Sequence, residues 1–90
     1  MKKAKRAERF EKIAEHGCII CQSPCQIHHL VGLKYRGRGQ KANDCFTIGL
    51  CHIHHTGDRG LHTIGIRTWE TTYGTQESLL EKTNLLIGDD

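Results

Sequence analysis

Two pairs of metal-type side chains are spaced for chemistry, Cys18-x-x-Cys21 and Cys51-x-x-His54. A C-x₂-C turn aims both thiolates at one point, and a C-x₂-H turn does nearly the same. Together they make a Cys₃His set, a standard closed tetrahedral donor set for structural Zn²⁺. The 29 residues between the pairs exceed the usual finger spacing and have room for a strand, a loop and a second strand. Zinc there would clamp the start of the first strand to the end of the second. In so short a chain that clamp could carry much of the folding free energy, since structural zinc binds finger peptides by about 10–16 kcal/mol. The competing reading is a set of buried free thiols. Cys25 and Cys45 lie outside the pattern; Cys25 is an alternative ligand, and both otherwise read as small core or strand residues.

That set leaves His28, His29, His52, His55 and His62 to be accounted for. A lone His is most often a satisfied surface or core residue. Adjacent residues on a strand point to opposite faces, so His28 and His29 cannot both serve one ion. One can bind a metal while the other faces a substrate. On a helix, His54 and His55 differ in direction by about 100°, so His54 can close the zinc set while His55 looks elsewhere. A strand His plus a helix His begins a second, open metal site, and an open site reads as catalytic.

The elements that must position these groups follow from periodicity and breakers. Residues 4–16 read as a helix with Phe10, Ile13 and Ala14 on one face and Gly17 as its stop. Ser23-Pro24 is a turn. Residues 26–31 and 45–50 read as strands, joined by a Gly-rich basic loop over 32–44. A short helix starts at 51–55, a turn covers 56–60, and 62–73 reads as one helix with Ile66, Trp69 and Tyr73 on a face. Gly74 ends it. Thr75 caps a last helix to residue 87, with Leu79, Leu80, Leu86 and Ile87 as its stripe.

The segments CIIC, QIHH, TIGLCHIHH, RGLH and TTYG over residues 18–80 together resemble the HNH (ββα-metal) endonucleases. Within that group they are most similar to the phage recombination enhancement function (Ref) nucleases. The resemblance implies a small α+β fold: a ββα-metal (His-Me finger) core with a structural zinc knuckle, flanked by N-terminal and C-terminal helices. Residues 1–17 would be a basic N-terminal helix and 18–90 the zinc-stabilised nuclease domain. It implies a metal-dependent, phage-encoded DNA endonuclease linked to recombination. His28 and His55 would hold a catalytic Mg²⁺ or Mn²⁺, with His62 as third ligand, and His29 would be the general base. Arg59 stands where the family places a further ligand, four residues after His55. The Asn that gives the family its middle letter would fall near Phe46, leaving Asn43 or Asp44 to orient the loop. A recombinase filament is a further implied partner.

Composition sets the remaining bounds. Ninety residues are one domain, with 37% apolar residues and a single Trp. Five Cys is an odd number, against a closed disulfide framework. No apolar run reaches the length of a membrane span, and the opening MKKAKRAERFEKIAEHG lacks the apolar stretch of a secretion signal. The expected location is the cytoplasm, that of a host if the protein is phage-encoded. Charge is uneven: residues 1–41 hold ten Lys/Arg against three Glu, and 42–90 hold three against seven Asp/Glu. A basic half favours a polyanionic partner such as DNA. Lys34, Arg36, Arg38 and Lys41 are placed to meet phosphates, Tyr35 to stack on a base, and Arg59 to steady the scissile phosphate or simply to be solvated. Two other classes compete: a non-catalytic zinc-dependent DNA-binding module, and an interaction protein whose last helix docks on a partner.

If the loop contacts DNA, duplex affinity falls with salt, and each lost phosphate contact lowers the slope of log K against log salt by about 0.9. Replacing Arg36 and Arg38 with Ala is expected to flatten that slope in a fluorescence-anisotropy titration; an unchanged slope places the DNA elsewhere.

Overall fold

The computed structural model describes residues 3–32, 34–35 and 43–88. Their order is α1 (Lys3–His16), β1 (Gln26–His29), β2 (Thr47–Leu50), α2 (His52–His55), α3 (Leu61–Ile64), α4 (Ile66–Tyr73) and α5 (Gln76–Ile87). This is a small α+β arrangement with one two-stranded sheet. Among the described residues, no helix is long and apolar enough to cross a membrane.

The strands pair antiparallel, Gln26 with Leu50, Ile27 with Gly49, His28 with Ile48 and His29 with Thr47. Every β2 residue is buried. Gly49 has no side chain because none fits: a Cβ there would lie 2.8 Å from Cys25 Sγ and 2.9 Å from Ile13 Cγ2. Both strands are shorter than their expected spans. Beyond His29, Leu30 N–H still donates to Phe46 O at 3.0 Å. Val31 then leaves the ladder, its N–H and C=O both taken by the Gln76 side-chain amide.

Cys18, Ile19, Leu30, Ile48, Leu50, Cys51, Leu61, Trp69 and Leu79 form the core. Trp69 is fully buried, and its Nε1–H donates to His54 O at 3.1 Å. That bond satisfies the one polar atom of the largest core side chain and seats the α2 backbone on it.

Three helical expectations are corrected. The single helix over 62–73 is two, because Gly65 sits at φ +92° and ends α3 before α4 begins; Ile66 is consequently exposed. On α5 the buried positions are Gln76, Leu79, Thr83 and Ile87, a helical stripe that excludes Leu86, which is 51% exposed. Thr75 does cap this helix, accepting from Ser78 N–H at 3.1 Å. On α1 the buried residues are Arg9 and Ile13, with Phe10 partly covered and Ala14 exposed.

Arg9 is buried because acceptors await it. Its guanidinium donates to Thr47 Oγ1 at 2.9 Å, to Thr47 O at 2.6 Å and to Asn84 Oδ1 at 2.8 Å, joining α1, β2 and α5. Stripping a charged donor from a buried site leaves its acceptors unpaired, at about 1–3 kcal/mol each. Arg9→Met is therefore expected to lower stability by about 3 kcal/mol or more in urea unfolding. A loss under 0.5 kcal/mol would mean that the strand does not need this brace.

Candidate metal centres

Cys18, Cys21, Cys51 and His54 come together, their ligand atoms within 4.8 Å of one another. Cys18 and Cys21 lie on the turn after α1, where Gly17 at φ +87° admits the returning chain: a Cβ there would lie 2.5 Å from Gln22 O. Cys51 precedes α2 and His54 lies within it, its backbone O bonded to Trp69 and its ring against Tyr73 at 5.1 Å. The spacings fit zinc. Bonds of about 2.3 Å to sulfur and 2.0–2.1 Å to nitrogen give tetrahedral edges of about 3.8 Å for S···S and 3.6 Å for S···N. Cys21 Sγ and Cys51 Sγ are 3.7 Å apart, and His54 Nδ1 lies 3.2 Å from Cys51 Sγ and 3.8 Å from Cys18 Sγ. The cluster can therefore bind a metal such as zinc.

The electrostatics agree. The Ser23 hydroxyl, with smaller help from Cys51 and Cys18, brings the Cys21 thiol down to about 7. Burial pushes Cys18 up, so a cation is needed to hold it as thiolate. Burial and the Arg59 charge hold His54 below its ordinary value, as a neutral ligand. Cys25 and Cys45 stand outside the cluster; Cys25 packs at the core edge, its thiol 3.6 Å from Ile13 O and raised by burial.

His28, His55 and His62 form a second group within the same 4.8 Å limit. His28 is buried on β1, His55 is partly buried on α2, and His62 is exposed on α3. His28 Nδ1 faces His55 Nε2 at 3.2 Å, and the His62 ring centroid lies 5.6 and 4.9 Å from theirs. Burial lowers His28 to about 4, with a smaller contribution from His55 and His62, while the Gln76 bond opposes it. Burial, then His62 and His52, lower His55. Both are neutral donors at neutral pH. The remaining ring nitrogens meet amides: His28 Nε2 lies 3.2 Å from Gln76 Oε1 and His55 Nδ1 lies 2.8 Å from Gln26 Oε1. His52 joins neither group; its Nδ1 sits 3.2 Å from Thr56 Oγ1.

His29 faces away from that cluster, against α1 and the turn before β2. Its Nε2 lies 2.8 Å from Asp44 Oδ1, and its ring meets Phe10 at 85°. Arg6 also reaches Asp44, at 3.6 Å, and Thr47 Oγ1 donates to Asp44 O at 2.8 Å. Asn43 shapes the same turn, its Oδ1 accepting from Cys45 N–H and its O from Phe46 N–H. The two candidates for orienting this loop thus divide the work, and Asp44 holds the imidazole.

Among the expected DNA contacts, Arg36, Arg38 and Lys41 lie outside the described residues. Lys34 is exposed and pairs with Glu77 at 2.7 Å. The Tyr35 ring is partly buried, in a T-shaped contact with Phe46 at 5.7 Å, and Lys34 Nζ lies 5.7 Å from its centroid. Arg59 is exposed in a surface depression shared with Cys21, His52 and His54, beside the Cys₃His cluster. Gln76 and Gln26 were not legible as site residues. Gln76 lies 48 positions from His28, and only the fold joins them.

Residues 2–86 match the family described as protein of unknown function (DUF968), and the chain belongs to it. Over 64 residues, 70% of this chain, it is 39% identical to the uncharacterized protein YdfU of Escherichia coli (strain K12). The match covers 17% of that protein, so the chain spans about a sixth of its length. No solved structure matches.

Purified protein is expected to carry about one tightly held zinc per chain in the Cys₃His cluster. Cys18→Ser should lose that zinc and the folded state, while Cys25→Ser should keep both, as read by plasma emission and circular dichroism. Equal zinc loss in the two variants would put Cys25 in the ligand set.

Proposed function

We propose that this protein is an HNH-type metal-dependent DNA endonuclease, with a ββα-metal core formed by β1, β2 and α2. The observation that carries the reading is the convergence of His28, His55 and His62 on one face of β1 while Asp44 grips His29 on the other. One face offers a cation site and the other an oriented base.

Three imidazoles fit Mn²⁺ better than Mg²⁺, which prefers oxygen donors and octahedral geometry. A divalent ion bound there supplies Lewis-acid polarisation of the phosphate and charge relief at the leaving 3′ oxygen. The remaining work falls to the chain. Asp44, as a carboxylate, accepts the Nε2–H of His29, which leaves Nδ1 as the basic atom. That nitrogen takes the proton of the attacking water, a task suited to an imidazole near neutral pH. The basic α1 and the 34–41 segment attract the DNA backbone without reading bases, so cleavage is expected to show weak sequence preference. The Cys₃His zinc takes no part in the chemistry and holds α2 so that His55 meets His28.

The test is nicking of supercoiled plasmid by zinc-loaded protein with Mn²⁺. His29→Ala should keep its zinc and its Mn²⁺ affinity and lose nicking by about 10²–10⁴-fold. Asp44→Ala should lose less, since the base remains but is no longer held. His55→Ala should lose Mn²⁺ itself in a calorimetric titration. If the unaltered protein binds Mn²⁺ and DNA and does not nick, the non-catalytic DNA-binding reading replaces this one. Undiminished nicking by His29→Ala would remove His29 from the chemistry.

A further inference from the structure

His28 Nδ1 and His55 Nε2 face each other at 3.2 Å. Whether they can share one ion depends on where each ring keeps its hydrogen. A neutral imidazole carries one N–H and one lone pair, and only the lone pair binds a metal.

For His28 the choice is made by a side chain outside the cluster. Gln76 is 3% exposed, at the first position of α5. Its amide is fixed from both ends by one residue: Nε2–H donates to Val31 O at 2.9 Å, and Oε1 accepts from Val31 N–H at 3.0 Å. Turning the amide over would set N–H against N–H and oxygen against oxygen. Its backbone is held as well, with Gln76 N–H donating to Glu70 Oε2 at 2.6 Å. The atom presented to His28 Nε2, at 3.2 Å, is therefore the oxygen. A carbonyl oxygen only accepts, so Nε2 must carry the hydrogen, and the lone pair lies on Nδ1, pointing at His55.

We propose that Gln76 is the positioning residue of the three-histidine centre, presetting the His28 tautomer so that Nδ1 is a bare donor before any ion arrives. The inference rests on the reading of that centre as a divalent-cation site. Outer partners of this kind set ring orientation and ligand basicity, and their loss costs about 10–100-fold in metal affinity. Gln76 differs from an ordinary partner in linking Glu70 of α4, Val31 in the segment just past β1, and α5 itself. The tautomer is thereby tied to the docking of the C-terminal helix.

The test compares zinc-loaded wild type, Gln76→Leu and Gln76→Glu by Mn²⁺ titration and by long-range ¹H–¹⁵N spectra of the histidine rings without Mn²⁺. Wild type should show His28 as Nε2–H alone. Gln76→Leu should give a mixture of tautomers and bind Mn²⁺ about 10–100-fold more weakly. Gln76→Glu keeps an acceptor at the same place while losing the bond to Val31 O, so it should restore both the Nε2–H spectrum and most of the affinity. A merely structural role predicts the reverse, with Glu as damaging as Leu. If Gln76→Leu fails to fold, the Glu variant decides alone. His28 held as Nε2–H with unchanged Mn²⁺ affinity in Gln76→Leu overturns the proposal, as does a Glu variant that fails to restore them. Wild type that takes up no Mn²⁺ beyond its zinc overturns the centre and this proposal together. Mn²⁺ binding without nicking overturns only the nuclease reading.

Discussion

Two strands of four residues each do not hold together in water on their own pairing. Their alignment depends on the corner where the turn after α1 meets the turn into α2. There Cys18 and Cys21 face Cys51 and His54, and Ile19 N–H donates to Gly49 O at 2.9 Å. The corner fixes the start of α2 against the sheet, and Trp69 supports that helix from beneath through His54 O. His54 and His55 are consecutive. A ligand set that closes on the first therefore also sets the direction of the second, about 100° around the helix. The meeting of His28 and His55 is a consequence of this corner rather than of any direct attraction between two imidazoles.

The opposite face of β1 is braced by polar groups. Arg9 ties α1 to the backbone and hydroxyl of Thr47, and the same hydroxyl donates to Asp44 O. Asp44 in turn holds His29. One continuous set of hydrogen bonds thus runs from a buried guanidinium to the imidazole. Networks of this sort rigidify when fully satisfied and are costly when broken. Phe10 closes the edge of the ring. The cost of burying Arg9 is offset by its bonds to Thr47 and Asn84.

Much of the arrangement was legible in the residues. The two knuckle pairs name four side chains that do converge, and the alternation of a strand by itself separates His28 from His29. His62 was legible only through resemblance, since seven residues of turn and helix separate it from His55. What stayed hidden has a common physical origin. Arg9 in place of Ala14 on the buried face of α1 and Gln76 against His28 are polar residues buried by long-range partners, and Thr83 is buried in place of Leu86 on α5 with its hydroxyl unpaired. Periodicity ranks side chains by hydrophobicity and cannot anticipate an acceptor 38 or 75 positions away. The break at Gly65 was visible as a glycine, but helical periodicity runs through a glycine as readily as it stops there, and only the φ of +92° separates α3 from α4.

The adjacency of His28 and His29 also dictates which changes of length the chain can absorb. Their division between faces follows from a two-residue period. Inserting or deleting one residue between Cys25 and Leu30 would rotate each imidazole onto the other's ground, handing the carboxylate of Asp44 the ring meant for His55. Relatives of this chain should therefore keep the count across Gln26–Leu30 fixed, so a frame of five residues is the ruler by which the site can be traced through divergent sequences.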